Sequence, residues 1–126
     1  MQGINKFGVG TDIESIARFR NLDFNRNKTF FNKIFTKKEM EYCLSKKEPA
    51  AHLAARYAGK EAIIKALSSI GKEHIDYKKV EIFNNKKEVP LVKITDKRFK
   101  GLKVHLSLSH CEDKALAFAI VMETKQ

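Results

Sequence analysis

The sequence predicts an α+β fold: a small, antiparallel-rich sheet packed against one long helix and several short ones. Three observations predict it. Apolar residues recur at helical spacing as far as about residue 70, they alternate beyond Gly71, and the alanine-rich stretch from Pro49 to about Ile70 is longer than any other candidate element. Helices grouped early and strands grouped late fit a segregated fold, not a run of alternating βαβ units.

Taken in order, Phe7-Gly8-Val9-Gly10-Thr11-Asp12-Ile13 begins as an apolar strand, and Asp12 stands at a turn into a helix, the usual place for an N-cap. That helix has Ile13, Ile16 and Ala17 inward and Arg18 and Arg20 outward. A basic loop with Asn21, Asn25, Arg26, Asn27 and Lys28 follows, then Phe30, Phe31, Ile34 and Phe35 at near-helical spacing, a core stripe. Thr36-Lys37-Lys38-Glu39 is a capping box that opens a helix with Met40, Cys43 and Leu44 inside. In the long helix Pro49 suits the first position and Gly71 the stop, which makes a strand, three helices and then mostly strands.

Past Gly71, Val80 and Ile82 and then Val89, Leu91, Val92 and Ile94 read as a hairpin turned by Asn84-Asn85-Lys86-Lys87. Lys103 to Ser109 alternates, with Val104, Leu106 and Leu108 facing the core; His110 to Lys114 turns the chain, and Ala115 to Met122 reads as a strand buried on both faces.

A chain of 126 residues with 43% hydrophobic content is read as a single domain over residues 1–126, with one core. Met1 to Lys6 holds no apolar run of signal-peptide type, and the longest apolar stretch is too short to span a bilayer. Two cysteines without metal-type spacing, Cys43 and Cys111, suit reduced thiols, so the expectation is a soluble cytoplasmic protein with no membrane partner. The net charge of +10 calls for a polyanionic partner. Residues 1–47 and 72–103 each carry ten basic and five acidic side chains, flanking a nearly neutral centre. A nucleic-acid-binding domain is disfavoured: the aromatic residues cluster at helical spacing and no recognition module is present.

Charges inside the small-residue helix need a reason. Tyr57, Glu61 and Lys65 share a face at four-residue spacing, which reads either as a surface Glu–Lys pair or as a carboxylate holding a hard cation beside groups for phosphate oxygens. Arg56 and Lys60 are like charges four apart, a pairing that favours an anion between them.

Gly8-Val9-Gly10-Thr11-Asp12-Ile13, Lys60-Glu61-Ala62-Ile63-Ile64-Lys65 and Ser107-Leu108-Ser109-His110, with Phe35-Thr36-Lys37-Lys38-Glu39 between, together resemble the holo-acyl-carrier-protein synthases, the small bacterial branch of the 4′-phosphopantetheinyl transferases. The match runs in order along nearly the whole chain. It departs at Glu88-Val89-Pro90, where the family often has Gly-x-Pro, and at Ala55 and Gly59, where it commonly has glycine and alanine.

The resemblance implies Mg²⁺-dependent transfer of the phosphopantetheine arm of coenzyme A to a serine of apo acyl carrier protein, releasing adenosine 3′,5′-bisphosphate and serving fatty acid synthesis. By it, Asp12 and Glu61 hold Mg²⁺, which takes one or two carboxylates plus substrate phosphates. Lys65 steadies the pyrophosphate, Arg56 and His110 take the 3′-phosphate with Lys60 nearby, and Arg18, Arg20, Arg26 and Lys28 dock the acidic carrier protein. The family's homotrimer is expected too. A non-catalytic scaffold of the same fold is the remaining alternative. His105 is read as structural.

Overall fold

Strand Ile4–Ser15 (β1) leads through three short helices, Ile16–Asn21 (α1), Lys28–Ile34 (α2) and Lys37–Leu44 (α3), into the long helix Pro49–Ser69 (α4). Strands Val80–Asn84 (β2), Pro90–Ile94 (β3), Leu102–Cys111 (β4) and Lys114–Thr124 (β5) complete the chain. This computed structural model describes residues 3–124; Met1 and Gln2 of the N-terminal stretch read above lie outside them. The architecture is α+β, as expected, with four α-helices before the strands resume where three were counted.

β5 is the centre of a three-stranded antiparallel sheet in the order β1-β5-β4, and β2 and β3 form a separate antiparallel hairpin. α4 lies across the first sheet. It begins with Pro49 at the first turn, and it stops where Gly71 takes a left-handed φ of 80° while the Lys72 amide reaches back to the Leu67 carbonyl at 2.9 Å. The alanines of the helix face Ala117, Ala119 and Val121 of β5, so small residues on both partners let backbone approach backbone. Gly8 and Gly10 bring β1 in as well: a Cβ on Gly10 would fall onto the Ala62 carbonyl oxygen and stand 2.8 Å from the Ala66 nitrogen. The second core cluster joins Phe19, Phe31, Ile34 and Phe35 to Cys43 and Leu53, and the aromatic stripe is core.

Several expectations are corrected. Leu44 of α3, expected inside, is 54% exposed. β1 continues through Asp12 to Ser15, because β5 pairs with it as far as Ser15 opposite Lys114. Ser15, not Asp12, therefore caps α1, accepting the Arg18 amide at 3.3 Å, and Ile13 faces outward. β5 is buried on one face only: Leu116 and Phe118 are 47% and 42% exposed, beside the exposed Phe7, Val9 and Ile13 of β1. In the hairpin, Val92 and Ile94 pack on the core, while Val89 and Leu91 are exposed. Elsewhere the Thr36–Glu39 capping box is present in both directions, and Val104, Leu106 and Leu108 face the core.

Candidate active site

Extending β1 to Ser15 places Asp12 and Glu14 on one face of the strand, two residues apart. That strand end lies beside α4, and a corner forms there. Lys65 Nζ stands 3.2 Å from Asp12 Oδ1 and donates to the Thr11 carbonyl at 3.0 Å. Glu61, one turn earlier on α4, accepts a short hydrogen bond from the Tyr77 hydroxyl. Among the described residues Glu61 and Lys65 form no ion pair, so the surface-pair reading does not hold.

The corner carries more negative charge than it neutralises. Glu14 is pushed up to about 7, first by burial, then by a hydrogen bond to Asp12 and by the charges of Asp12 and Glu61, with Arg18 opposing. Asp12 Oδ2 is buried and has no hydrogen-bond partner within the chain. A buried carboxylate oxygen with free lone pairs, next to acids that repel one another, fits a cation. No group of three or more His, Cys, Asp or Glu side chains able to hold a metal occurs among the described residues. One or two carboxylates completed by substrate oxygens is the ligand pattern that Mg²⁺ commonly takes, and the free oxygen of Asp12 suits it. Glu14 went unnoticed in the sequence because the strand was ended three residues early, at Asp12 instead of Ser15; alternation carried past Asp12 would have found it.

Arg56 belongs to a second feature. It is 2% exposed, lies over the Tyr42 ring at 4.1 Å, and donates through Nη2 to Asn84 Oδ1, while its Nε is buried without a partner. Arg56 lines a cavity of about 190 Å³ together with His110, Ser109 and His52. A larger cavity of about 680 Å³ continues from it past His52 and His110 to Lys46 and Lys47. His52 is held below its ordinary pKa, by burial first and then by Arg56 and Lys46, so it adds no charge near neutrality. Arg56 and His110 thus share one cleft.

Lys60 is not in that cleft, and its expected place near a phosphate is corrected. Its side chain is fully buried, pairs with Glu39 Oε1 at 2.8 Å and donates to the Tyr77 carbonyl at 2.8 Å. Glu39 also accepts the amides of Thr36 and Ile82, each at 2.8 Å. The anion that Lys60 needs is thus supplied from within the chain, whereas Arg56 has no acid paired with it among the described residues. The capping box showed Glu39 as a cap but gave no sign of its second partner.

On the outer side, Arg18 is exposed, with its guanidinium carbon 5.7, 5.6 and 5.5 Å from the ring centres of Phe19, Phe30 and Tyr57, and it pairs with Glu14 at 3.4 Å. Arg20 pairs with Glu48 at 2.9 Å, and Arg26 and Lys28 are exposed at the turn into α2. Tyr77 was not singled out from the sequence, since a tyrosine in an irregular stretch carries no periodic signal.

Residues 8–120 match the family model of the 4′-phosphopantetheinyl transferase superfamily. A holo-[acyl-carrier-protein] synthase of Chlamydia felis is 46% identical over 118 residues, covering 90% of this chain and 95% of the relative. Among solved structures, the acyl carrier protein synthase of Mycobacterium tuberculosis superposes with a TM-score of 0.72 at 32% identity, covering 94% of this chain and 97% of that one. The ACPS–CoA complex of Chronobacterium ammoniagenes superposes with a TM-score of 0.80 at 21% identity, covering 96% and 100%, a likeness of fold.

Proposed function

The chain belongs to the holo-[acyl-carrier-protein] synthases of the 4′-phosphopantetheinyl transferase superfamily, and on that premise we propose how its own residues move phosphopantetheine from coenzyme A to a carrier-protein serine. The observation that carries the reading is the Asp12 corner, where a buried, unpartnered carboxylate oxygen adjoins Glu14 and the Tyr77-held Glu61.

Asp12 and Glu61 hold Mg²⁺, which when bound neutralises diphosphate charge and orients it. Lys65, already at Asp12, supplies a mobile ammonium for the diphosphate oxygens and for charge growing on the leaving group. Arg56 and His110 receive the 3′-phosphate in their cleft, where the Arg56 guanidinium gives charge-assisted donors. The serine oxygen of the carrier protein attacks the phosphorus bearing the pantetheine arm and gives up its proton to solvent, while the bond to the bridging oxygen breaks and adenosine 3′,5′-bisphosphate leaves with that oxygen.

Arg18, Arg20, Arg26 and Lys28 present a basic surface around α1 and the start of α2, next to the corner, for the acidic carrier protein. The apolar outer face of β1 and β5, with Phe7, Val9, Ile13, Leu116 and Phe118, is covered by further copies of the chain in a homotrimer. Among the described residues no helix is long and apolar enough to cross a membrane. The cytoplasm is the compartment we assign.

Incubation with coenzyme A, Mg²⁺ and apo carrier protein tests the activity, read by intact mass. Addition of the phosphopantetheine mass by the native protein, and its loss in Glu61→Gln with the fold retained, is the expected pair of results. Full transfer by Glu61→Gln would show that the carboxylate is wrongly assigned.

A further inference from the structure

Consecutive residues of α4 hold the two ends of one tyrosine. Lys60 points inward and donates to the backbone carbonyl of Tyr77 at 2.8 Å; Glu61 points to the corner and accepts from the Tyr77 hydroxyl. Between these points the ring lies stacked on Tyr57, with centroids 6.2 Å apart and planes 18° from parallel. Lys60 is itself fixed by the buried Glu39.

We propose that Tyr77 is a positioning residue for the cation site: its hydroxyl, anchored through Lys60 and Glu39, holds the Glu61 carboxylate ready for the ion. The proposal rests on the reading of Asp12 and Glu61 as the carboxylates that hold the cation.

A glutamate has three side-chain torsions, and one exposed on a helix samples several rotamers. A phenol donating to one carboxylate oxygen selects among them and leaves the other oxygen its lone pairs for a cation. Hydrogen bonds from outside the ligand set orient metal-binding carboxylates in this way, and removing one weakens metal affinity by about 10- to 100-fold. The Lys60 and Glu39 pair makes the anchor stiff: Glu39 ties together the start of α3, α4 and β2, so the tyrosine is tied to the core. Phenylalanine would keep the stack on Tyr57 and the backbone bond to Lys60, and lose only the hydroxyl.

The test uses full-length protein with coenzyme A and without carrier protein, so that nothing turns over, and Mn²⁺ as the probe, its free fraction read by electron paramagnetic resonance. Tyr77→Phe is expected to weaken Mn²⁺ binding by about tenfold or more, while its thermal unfolding midpoint without metal stays at the native value. Raising Mg²⁺ should restore most of its turnover rate, whereas a packing defect would lower the rate at all Mg²⁺ concentrations. Native-like Mn²⁺ affinity in Tyr77→Phe, with binding lost in Glu61→Gln, overturns the proposal and leaves the carboxylate reading standing. Native-like affinity in Glu61→Gln overturns both. If Tyr77→Phe does not fold, the native protein decides, labelled with ¹³C at the tyrosine Cζ: the Tyr77 resonance moves on adding Mg²⁺ with coenzyme A, and no movement overturns the proposal.

Discussion

Lys60 and Glu39 face each other at 2.8 Å with both side chains entirely removed from solvent. Burial depresses the Lys60 pKa, and the charge and hydrogen bond of Glu39 oppose that shift. Lys60→Met would leave Glu39 with two backbone amides and no counter-charge, and removing one partner of a buried pair costs roughly 3–5 kcal/mol. Urea unfolding should show a loss of that size, far more than a phosphate-binding surface lysine would give.

Gly10→Ala tests the close crossing of β1 on α4. The added methyl meets the carbonyl of Ala62 and the nitrogen of Ala66, both backbone atoms that cannot swing aside. Overpacking of this kind costs about 3 kcal/mol or more, because the strand or the helix must shift. Any folded fraction should also lose transfer activity, since the shift separates Asp12 from Glu61. A native melting temperature would show that the two backbones are farther apart than described.

Glu88 adopts a left-handed φ of 61° in the β2–β3 turn, where its side chain meets the Tyr42 hydroxyl at 3.1 Å on the surface. A non-glycine residue pays for that conformation, and one exposed hydrogen bond offsets little of it. Glu88→Gly should stabilise the protein by about 0.5–1 kcal/mol in chemical denaturation. Destabilisation would mean that the Tyr42 contact outweighs the strain.

Local chemistry is what the sequence made legible. The Thr36–Glu39 box, Pro49 and Gly71 each act on backbone within a few residues, so the bounds of α3 and α4 followed from residue type alone. The alternation of β4 showed its core face for the same reason. Features set by distant pairing stayed hidden: β1 outruns Asp12 because β5 pairs with it through Ser15, and that extension is what brings Glu14 into the corner. Lys60 was misplaced because a helical wheel shows which way a lysine points but not whether an acid waits there. The exposed face of β5 misled because an apolar strand reads the same whether its second face meets the same chain or solvent.

Glu14 makes the stability of the metal-free protein depend on pH. Its folded pKa, about 7, lies above the ordinary 4.5, so between those values the folded state keeps a proton that the unfolded chain releases. Its contribution therefore falls as pH rises from about 4.5 to 7 and is level above. Glu14→Gln cannot ionise and escapes that decline. With a chelator present, the variant should gain stability over the native protein at pH 8 relative to pH 5; a difference independent of pH would show that Glu14 ionises normally.

Arg18 combines a long-range charge with a fixed seat. Its guanidinium rests over Phe19, Phe30 and Tyr57 and touches Glu14, which holds it in one place on the surface beside the corner. A fixed cation steers an acidic partner more effectively than a mobile one, because less side-chain freedom is lost on docking. The KM for apo carrier protein should rise with ionic strength as screening shortens the attraction to about 8 Å at physiological salt. Arg18→Glu should raise that KM by roughly tenfold or more at low salt, about 1.4 kcal/mol in docking, and flatten its salt dependence, with the KM for coenzyme A little changed. A KM for carrier protein that ignores both salt and the reversal would place the docking surface elsewhere on the chain.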